Sequence, residues 1–277
     1  MHHRACPGLA LVAAIVFAMF FGLSPIAAAE DLPVDLELVL AVDISLSMDE
    51  DEQRLQRDGY AAAFRHPEII EAIRSGPHGR IAATYVEWAG ENFQRTVVPW
   101  TLIDGPSTAI PFADKLAAAP IEQTYRTSIS GALIYASGLF DNNGYQGRTV
   151  IDVSGDGANN QGISVEVARD DAVRRGITIN GLPLLLKPGS FDGYFEMVNL
   201  DDYYADCVIG GTGAFIVPVR KTSEFVPAIR RKLVMEIAGL RGEPPSVVRV
   251  AAKVRERTDC LIGEKMWNQW MERFYRE

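Results

Sequence analysis

Between residues 36 and 237, short apolar runs alternate with longer stretches of helical periodicity. No other feature of the chain constrains its fold as strongly. The runs lie at residues 36–42 (LELVLAV), 81–88, 93–101, 149–153, 177–182 and 214–219. Between them, residues 51–65, 128–140, 164–175 and 223–237 carry apolar or small side chains at helical spacing. In the last stretch these are Phe225, Ile229, Leu233 and Ile237, with charges opposite. Such alternation predicts an α/β domain with a mainly parallel sheet and helices on both faces, a doubly wound, Rossmann-like arrangement. Ala89-Gly90-Glu91-Asn92 between the second and third runs is too short for a crossover. It predicts a hairpin, and hence one antiparallel edge strand. Pro218 must lie near the end of the last run or on an edge.

Composition narrows the class. The 277 residues are 48% hydrophobic and 23% charged, with a net charge of -9. These values exclude a disordered chain, a collagen, a disulfide-dense miniprotein and a multi-span membrane protein. The acidic balance argues against nucleic acid and anionic membrane surfaces as partners.

The first segment reads as a signal peptide. Arg4 precedes fifteen uncharged residues, 9–23, and Ala27-Ala28-Ala29 then offers an A-x-A cleavage site. Pro25 falls where a spanning helix would have to continue. The expected organisation is a signal peptide over residues 1–29, the α/β domain over 34–240 and a helical appendage over 241–277. The protein is then exported, periplasmic or secreted, with no membrane association after cleavage. Cleavage would leave Cys207 and Cys260, which outside the cytoplasm either bridge or stay as separate thiols. In the appendage, residues 247–255 and 261–275 read as helices after Gly242-Glu243-Pro244-Pro245. Trp267, Trp270 and Phe274 give the second helix an aromatic face, for its own domain or for a partner.

Ligands of open α/β sheets gather at the carboxyl ends of strands. Two carboxylates stand there, Asp43 after the first run and Asp156 after the fourth, in Asp152-Val153-Ser154-Gly155-Asp156-Gly157. Asp43, Ser45 and Ser47 alternate with Ile44 and Leu46. In an extended chain the three oxygen-bearing side chains point the same way. An all-oxygen set suits a hard cation, Mg²⁺ or Mn²⁺, with Ca²⁺ also admitted. A cap for the following helix is the plainer use of the same residues.

The segment LELVLAVDISLSM resembles the first strand and metal loop of the von Willebrand factor type A (vWA) superfamily. The resemblance implies a metal-ion-dependent adhesion site, in which D-x-S-x-S is joined by a Thr on a second loop and an Asp on a third. Thr127, before a small-residue helix, and Asp156 match those elements in order and spacing. The similarity covers residues 34–239 and departs from the commonest pattern at Arg126, where many members have Gly. It implies Ser45, Ser47 and Thr127 as direct ligands, with Asp43 and Asp156 acting through water. It also implies a non-enzymatic module whose partner is a protein offering an acidic side chain to the ion. Segments such as DCVIGGTGAFIVP resemble an exported bacterial group of the superfamily to which no biochemical role is attached.

Other readings use the same residues. A haloacid-dehalogenase-like phosphatase would take Asp43 as nucleophile and the loop Gly155-Asp156-Gly157-Ala158-Asn159-Asn160 for Mg²⁺. Its general acid would stand at position 45, where Ser45 cannot serve, and no Lys lies between Lys115 and Lys187. A vWA-like domain with a non-functional metal site is the structural alternative. Serine hydrolysis lacks a G-x-S-x-G elbow, and zinc catalysis lacks H-E-x-x-H. His66 and His78 read as cap and turn residues.

Overall fold

In a computed structural model, residues 30–186, 199–239 and 255–276 are described. The expected signal peptide and most of the helix expected at 247–255 lie outside them. From Asp31 onward the chain forms one compact unit.

Five strands build one sheet: β1 (Leu32–Asp43), β2 (Ile81–Trp88), β3 (Gln94–Ile103), β4 (Tyr145–Gly155) and β5 (Thr178–Pro183). Their order is β3-β2-β1-β4-β5. β1 runs parallel to both β2 and β4, and β4 to β5, while β3 is the antiparallel edge strand. The sheet is therefore mainly parallel with one antiparallel edge strand, as expected, but holds five strands and not six. From β1 the chain goes to β2 on one side and later to β4 on the other. The carboxyl ends of β1 and β4 thus flank the point where strand order reverses.

Period-two alternation in β1 feeds two cores. Leu36, Leu38, Leu40 and Val42 face α1 (Glu50–Arg65), α2 (Pro67–Arg74), α3 (Pro106–Ala118) and α7 (Phe225–Ala238). Val39 and Ala41 face α4 (Ile129–Gly138) and α5 (Val165–Arg174). The second layer also takes in α6 (Leu200–Tyr203) and the π-helical turn Tyr204–Val208. α8 (Ile262–Phe274) is the aromatic-faced helix expected near the C-terminus.

Several elements had no counterpart in the sequence reading, among them α2, α3, α6 and the π-helical turn. Pro67 and Pro106 look like breaks, yet each opens a helix, α2 and α3, where a missing N–H is harmless. His66 caps α2, its Nδ1 accepting from the Glu68 amide at 3.2 Å. The run at residues 214–219 is not a full strand. It touches β5 and its exit through isolated bridges, Gly181 with Ile216 and Leu184 with Val219. Pro183 and Pro218 each lack a donor, which breaks the ladder.

Candidate metal centre

Three loops meet at the carboxyl edge of β1 and β4. The first begins at Asp43, the last residue of β1. Its side chain is fully buried, and its Oδ1 accepts from the Ser45 amide at 2.7 Å. That bond turns the chain so that Ser45 and Ser47 stand together, Oγ to Oγ 3.0 Å. Ser47 donates to Asp156 Oδ1 at 2.6 Å. A hydroxyl carries one proton, so Ser45 must donate to Ser47. Four of the five expected ligands are therefore joined by hydrogen bonds, Asp43 to Ser45 through the Ser45 amide, and Ser45 to Ser47 to half-buried Asp156 through oxygens.

Thr127, the fifth, is buried on the second loop and lies beside Gly157, the residue after Asp156. A Cβ at Gly157 would lie 3.6 Å from Thr127 Oγ1. The second loop is tied to the first where the Thr124 amide donates to the Ile44 carbonyl at 3.2 Å. Asn160 on the third loop latches it from the other side. Its Oδ1 accepts from the Thr127 amide at 3.1 Å, and its own amide donates to the Thr127 carbonyl at 2.8 Å. Behind the second loop, Arg57 donates to the Pro120 carbonyl at 3.0 Å and pairs with buried Glu87.

The donor set fits a hard cation. Asp43 Oδ2 is buried and receives no hydrogen bond. Burial, and next the charge of Asp156, push the Asp43 carboxyl well above the usual carboxylate range. A divalent cation held by these residues would reverse both effects. Gly155 permits this packing, because a Cβ there would stand 2.8 Å from Asp43 Oδ2. Among the described residues, no three His, Cys, Asp or Glu side chains gather as a metal cluster. This centre relies on hydroxyls, and only two of its five members are acids.

Arg126, the point of departure from the superfamily pattern, adopts φ +74°. The left-handed region costs an L-residue about 1–2 kcal/mol. Three contacts offset this. Arg126 donates to the Asn160 carbonyl at 2.5 Å and to Asn160 Oδ1 at 3.2 Å. Its guanidinium also lies 3.5 Å from the centroid of the Trp267 ring on α8, a contact type worth roughly 0.5–2 kcal/mol. The loop thus takes the shape a glycine would give it, with an arginine held from outside.

Sequence reasoning did not single out Asn159, Asn160 or Trp267 for the site. The Asn pair was visible only as part of a phosphatase-like loop. In the structure it is a latch: Asn159 Oδ1 accepts from the Ser130 amide at 3.0 Å, and its Nδ2 donates to Glu264 at 2.7 Å. Cys207 and Cys260 form a disulfide, with Cα atoms 5.5 Å apart. Arg148, the cation nearest to the phosphatase-like loop in sequence, instead donates to the Glu236 carbonyl on α7.

Solved structures share this architecture. The pilus adhesin SpaC from Lactobacillus rhamnosus GG aligns with a TM-score of 0.55 at 12% identity, over 76% of this chain and 31% of that one. Proximal thread matrix protein 1 from the mussel byssus, solved with zinc in its MIDAS motif, gives 0.53 at 12%, over 76% and 50%. A von Willebrand factor type A protein from Catenulispora acidiphila gives 0.51 at 13%, over 74% and 43%. The chain spans between 31% and 50% of these proteins' lengths, and the likeness at such identities establishes a vWA-like fold. No curated protein sequence matches the chain. A family model described as "Protein of unknown function (DUF1194)" matches residues 33–241, and the chain belongs to that family.

Proposed function

We propose that this protein is an exported vWA-like module that binds a divalent cation and, through it, an acidic group on a partner protein. The observation that carries the reading is the hydrogen-bonded series Asp43–Ser45–Ser47–Asp156 at the sheet's switch point, with Asp43 Oδ2 buried and lacking a donor. The adhesin and the zinc-bound matrix protein among the structural relatives support it at the level of fold. When bound, Mg²⁺ or Mn²⁺ would supply a strongly electrophilic centre with an open position for a partner's carboxylate. Ser45, Ser47 and Thr127 offer neutral oxygens, which leave the ion's charge largely uncompensated. Asp43 orients the first loop through the Ser45 amide, and Asp156 accepts a hydrogen bond from the Ser47 hydroxyl. No step of this needs a nucleophile or a base, so we read the protein as a binding module and not an enzyme. A leader over residues 1–29, as the sequence suggests, and the Cys207–Cys260 disulfide both support export, and on this reading residues 34–240 are the binding domain and 241–277 an appendage.

Calorimetric titration of Mg²⁺ and Mn²⁺ into the protein and into Asp43→Ala tests the reading. Binding by the wild type and none by the variant, with unchanged circular dichroism, is expected. Equal binding by both would overturn the assignment. Metal-dependent recovery of one protein from a native extract, abolished by EDTA, would then identify the partner.

A further inference from the structure

Four observations converge on α8, outside the proposed ligand set. The disulfide fixes Cys260 to the π-helical turn at Cys207, just before the helix starts. Gly263 then packs so tightly on the third loop that a Cβ would fall 2.1 Å from the Asn159 carbonyl oxygen. Glu264 accepts from Asn159 Nδ2 at 2.7 Å. One turn further on, on the same helical face, the Trp267 ring lies 3.5 Å from the Arg126 guanidinium. Arg126 is the residue in the left-handed conformation, and Thr127 follows it.

We propose that Arg126, Trp267 and the Cys207–Cys260 disulfide act as one positioning device, through which α8 sets the conformation of the Thr127 loop. A glycine at position 126 would hold φ +74° unaided. An arginine holds it only while its guanidinium is engaged, by Asn160 on one side and Trp267 on the other. The substitution therefore makes the second loop answer to a helix that a glycine would ignore. The consequence for cation affinity rests on the metal-centre reading. The consequence for loop conformation does not.

The test uses the full chain in four forms: wild type, Trp267→Ala, Arg126→Gly and the double variant. Amide hydrogen exchange of residues 122–130 is measured without metal, and Mn²⁺ affinity by calorimetry. Trp267→Ala is expected to speed exchange in that segment and to weaken Mn²⁺ binding about tenfold, the lower end for a residue that orients a ligand. Arg126→Gly alone should resemble the wild type in both. The double variant should return to the Arg126→Gly level, because glycine needs no clamp. Replacing both cysteines by serine should act like Trp267→Ala and be rescued in the same way. Unchanged exchange in Trp267→Ala overturns the proposal. So does a defect that Arg126→Gly fails to rescue, which would make Trp267 a plain packing residue. If the wild type binds no Mn²⁺, the metal-centre reading fails and the metal-free exchange pattern still decides this one.

Discussion

Ser47 and Asp156 are 109 residues apart in sequence, and their side chains meet at 2.6 Å across the mouth of the sheet. The bond joins the loop after β1 to the loop after β4. It also leaves Asp156 close enough to Asp43 for the two carboxylates to repel each other, which is one reason the Asp43 carboxyl is held well above its usual range.

Opposite signs with and without metal follow from that repulsion. Asp156→Asn keeps an acceptor for Ser47 and removes one of the two charges. In EDTA the variant should be more stable than the wild type, by up to about 1 kcal/mol at this half-exposed position. In Mn²⁺ at about 100 times its dissociation constant, the wild type should gain about 2.7 kcal/mol and the variant much less. Urea unfolding in both buffers measures the crossover. A variant less stable in EDTA would show that Asp156 serves the fold and not a cation.

The sheet was legible because its signal is local. LELVLAV can only be a strand buried on both faces, and a four-residue break can only make β3 antiparallel. The spacing of Asp43, Ser45 and Ser47 was legible for the same reason, although β1 ends at Asp43 and it is the Ser45 amide bond, not strand geometry, that brings the two hydroxyls together. What holds them was not. Asn160 latches Thr127 across 33 residues, and Trp267 reaches Arg126 from a helix beyond the family match. No periodicity encodes such pairs. The helices opening at Pro67 and Pro106 were hidden because proline marks a helix start as readily as a stop. The buried polar group beneath the site was equally silent in sequence, as Lys232 and Glu236 sit on an otherwise ordinary amphipathic helix.

That group should make stability depend on pH. Lys232, Asp152 and Glu236 are all fully buried, with Lys232 Nζ 2.6 Å from Asp152 Oδ1 and bonded to Glu236. Burial first, and the Asp152 charge next, push the Glu236 carboxyl up to about 7. A raised carboxyl contributes stability in full below its unfolded value of 4.5 and loses it as pH rises through about 7. Glu236→Gln should flatten this decline between those values, seen as a melting temperature that no longer falls over that range. Lys232→Met should behave in the opposite way. It strands two carboxylates in the core and should cost about 3–5 kcal/mol, most severely at high pH. Equal pH profiles for wild type and Glu236→Gln would refute this account of the cluster.

Gly263 marks how closely α8 approaches the third loop. A methyl group there would meet backbone, the Asn159 carbonyl oxygen at 2.1 Å and its carbon at 2.9 Å, and not the tip of a flexible side chain. Gly263→Ala should therefore destabilise the protein by about 1–3 kcal/mol despite alanine's better helix propensity. Leu261→Ala, at an exposed neighbouring position, is the control and should change little. Denaturant midpoints compare the two, and a Gly263→Ala midpoint at or above the wild type would mean that α8 does not pack as described.

Acid should loosen the approach to α8 before it unfolds the core. Asp206 accepts from both Arg255 Nη atoms, at 2.6 and 2.9 Å, and from the Thr258 amide at 2.7 Å. Those bonds, Arg255 first, pull its carboxyl down to about 2. A depressed carboxyl gives its stabilisation in full above the usual value of 3.8 and loses it as pH falls through about 2. Between those values residues 255–258 should come free of the π-helical turn while the disulfide still holds Cys260 to Cys207. The buried Glu236 carboxyl is protonated throughout this range, so the core cluster does not share the transition. Hydrogen exchange at acid pH, corrected for intrinsic rates, should show the Thr258 amide losing protection well before amides in β1 and β4. Asp206→Asn keeps an acceptor but not the charge, and should show that weak protection already at neutral pH. Protection of Thr258 that survives to pH 2 in the wild type would show that the pair with Arg255 contributes nothing to holding the segment.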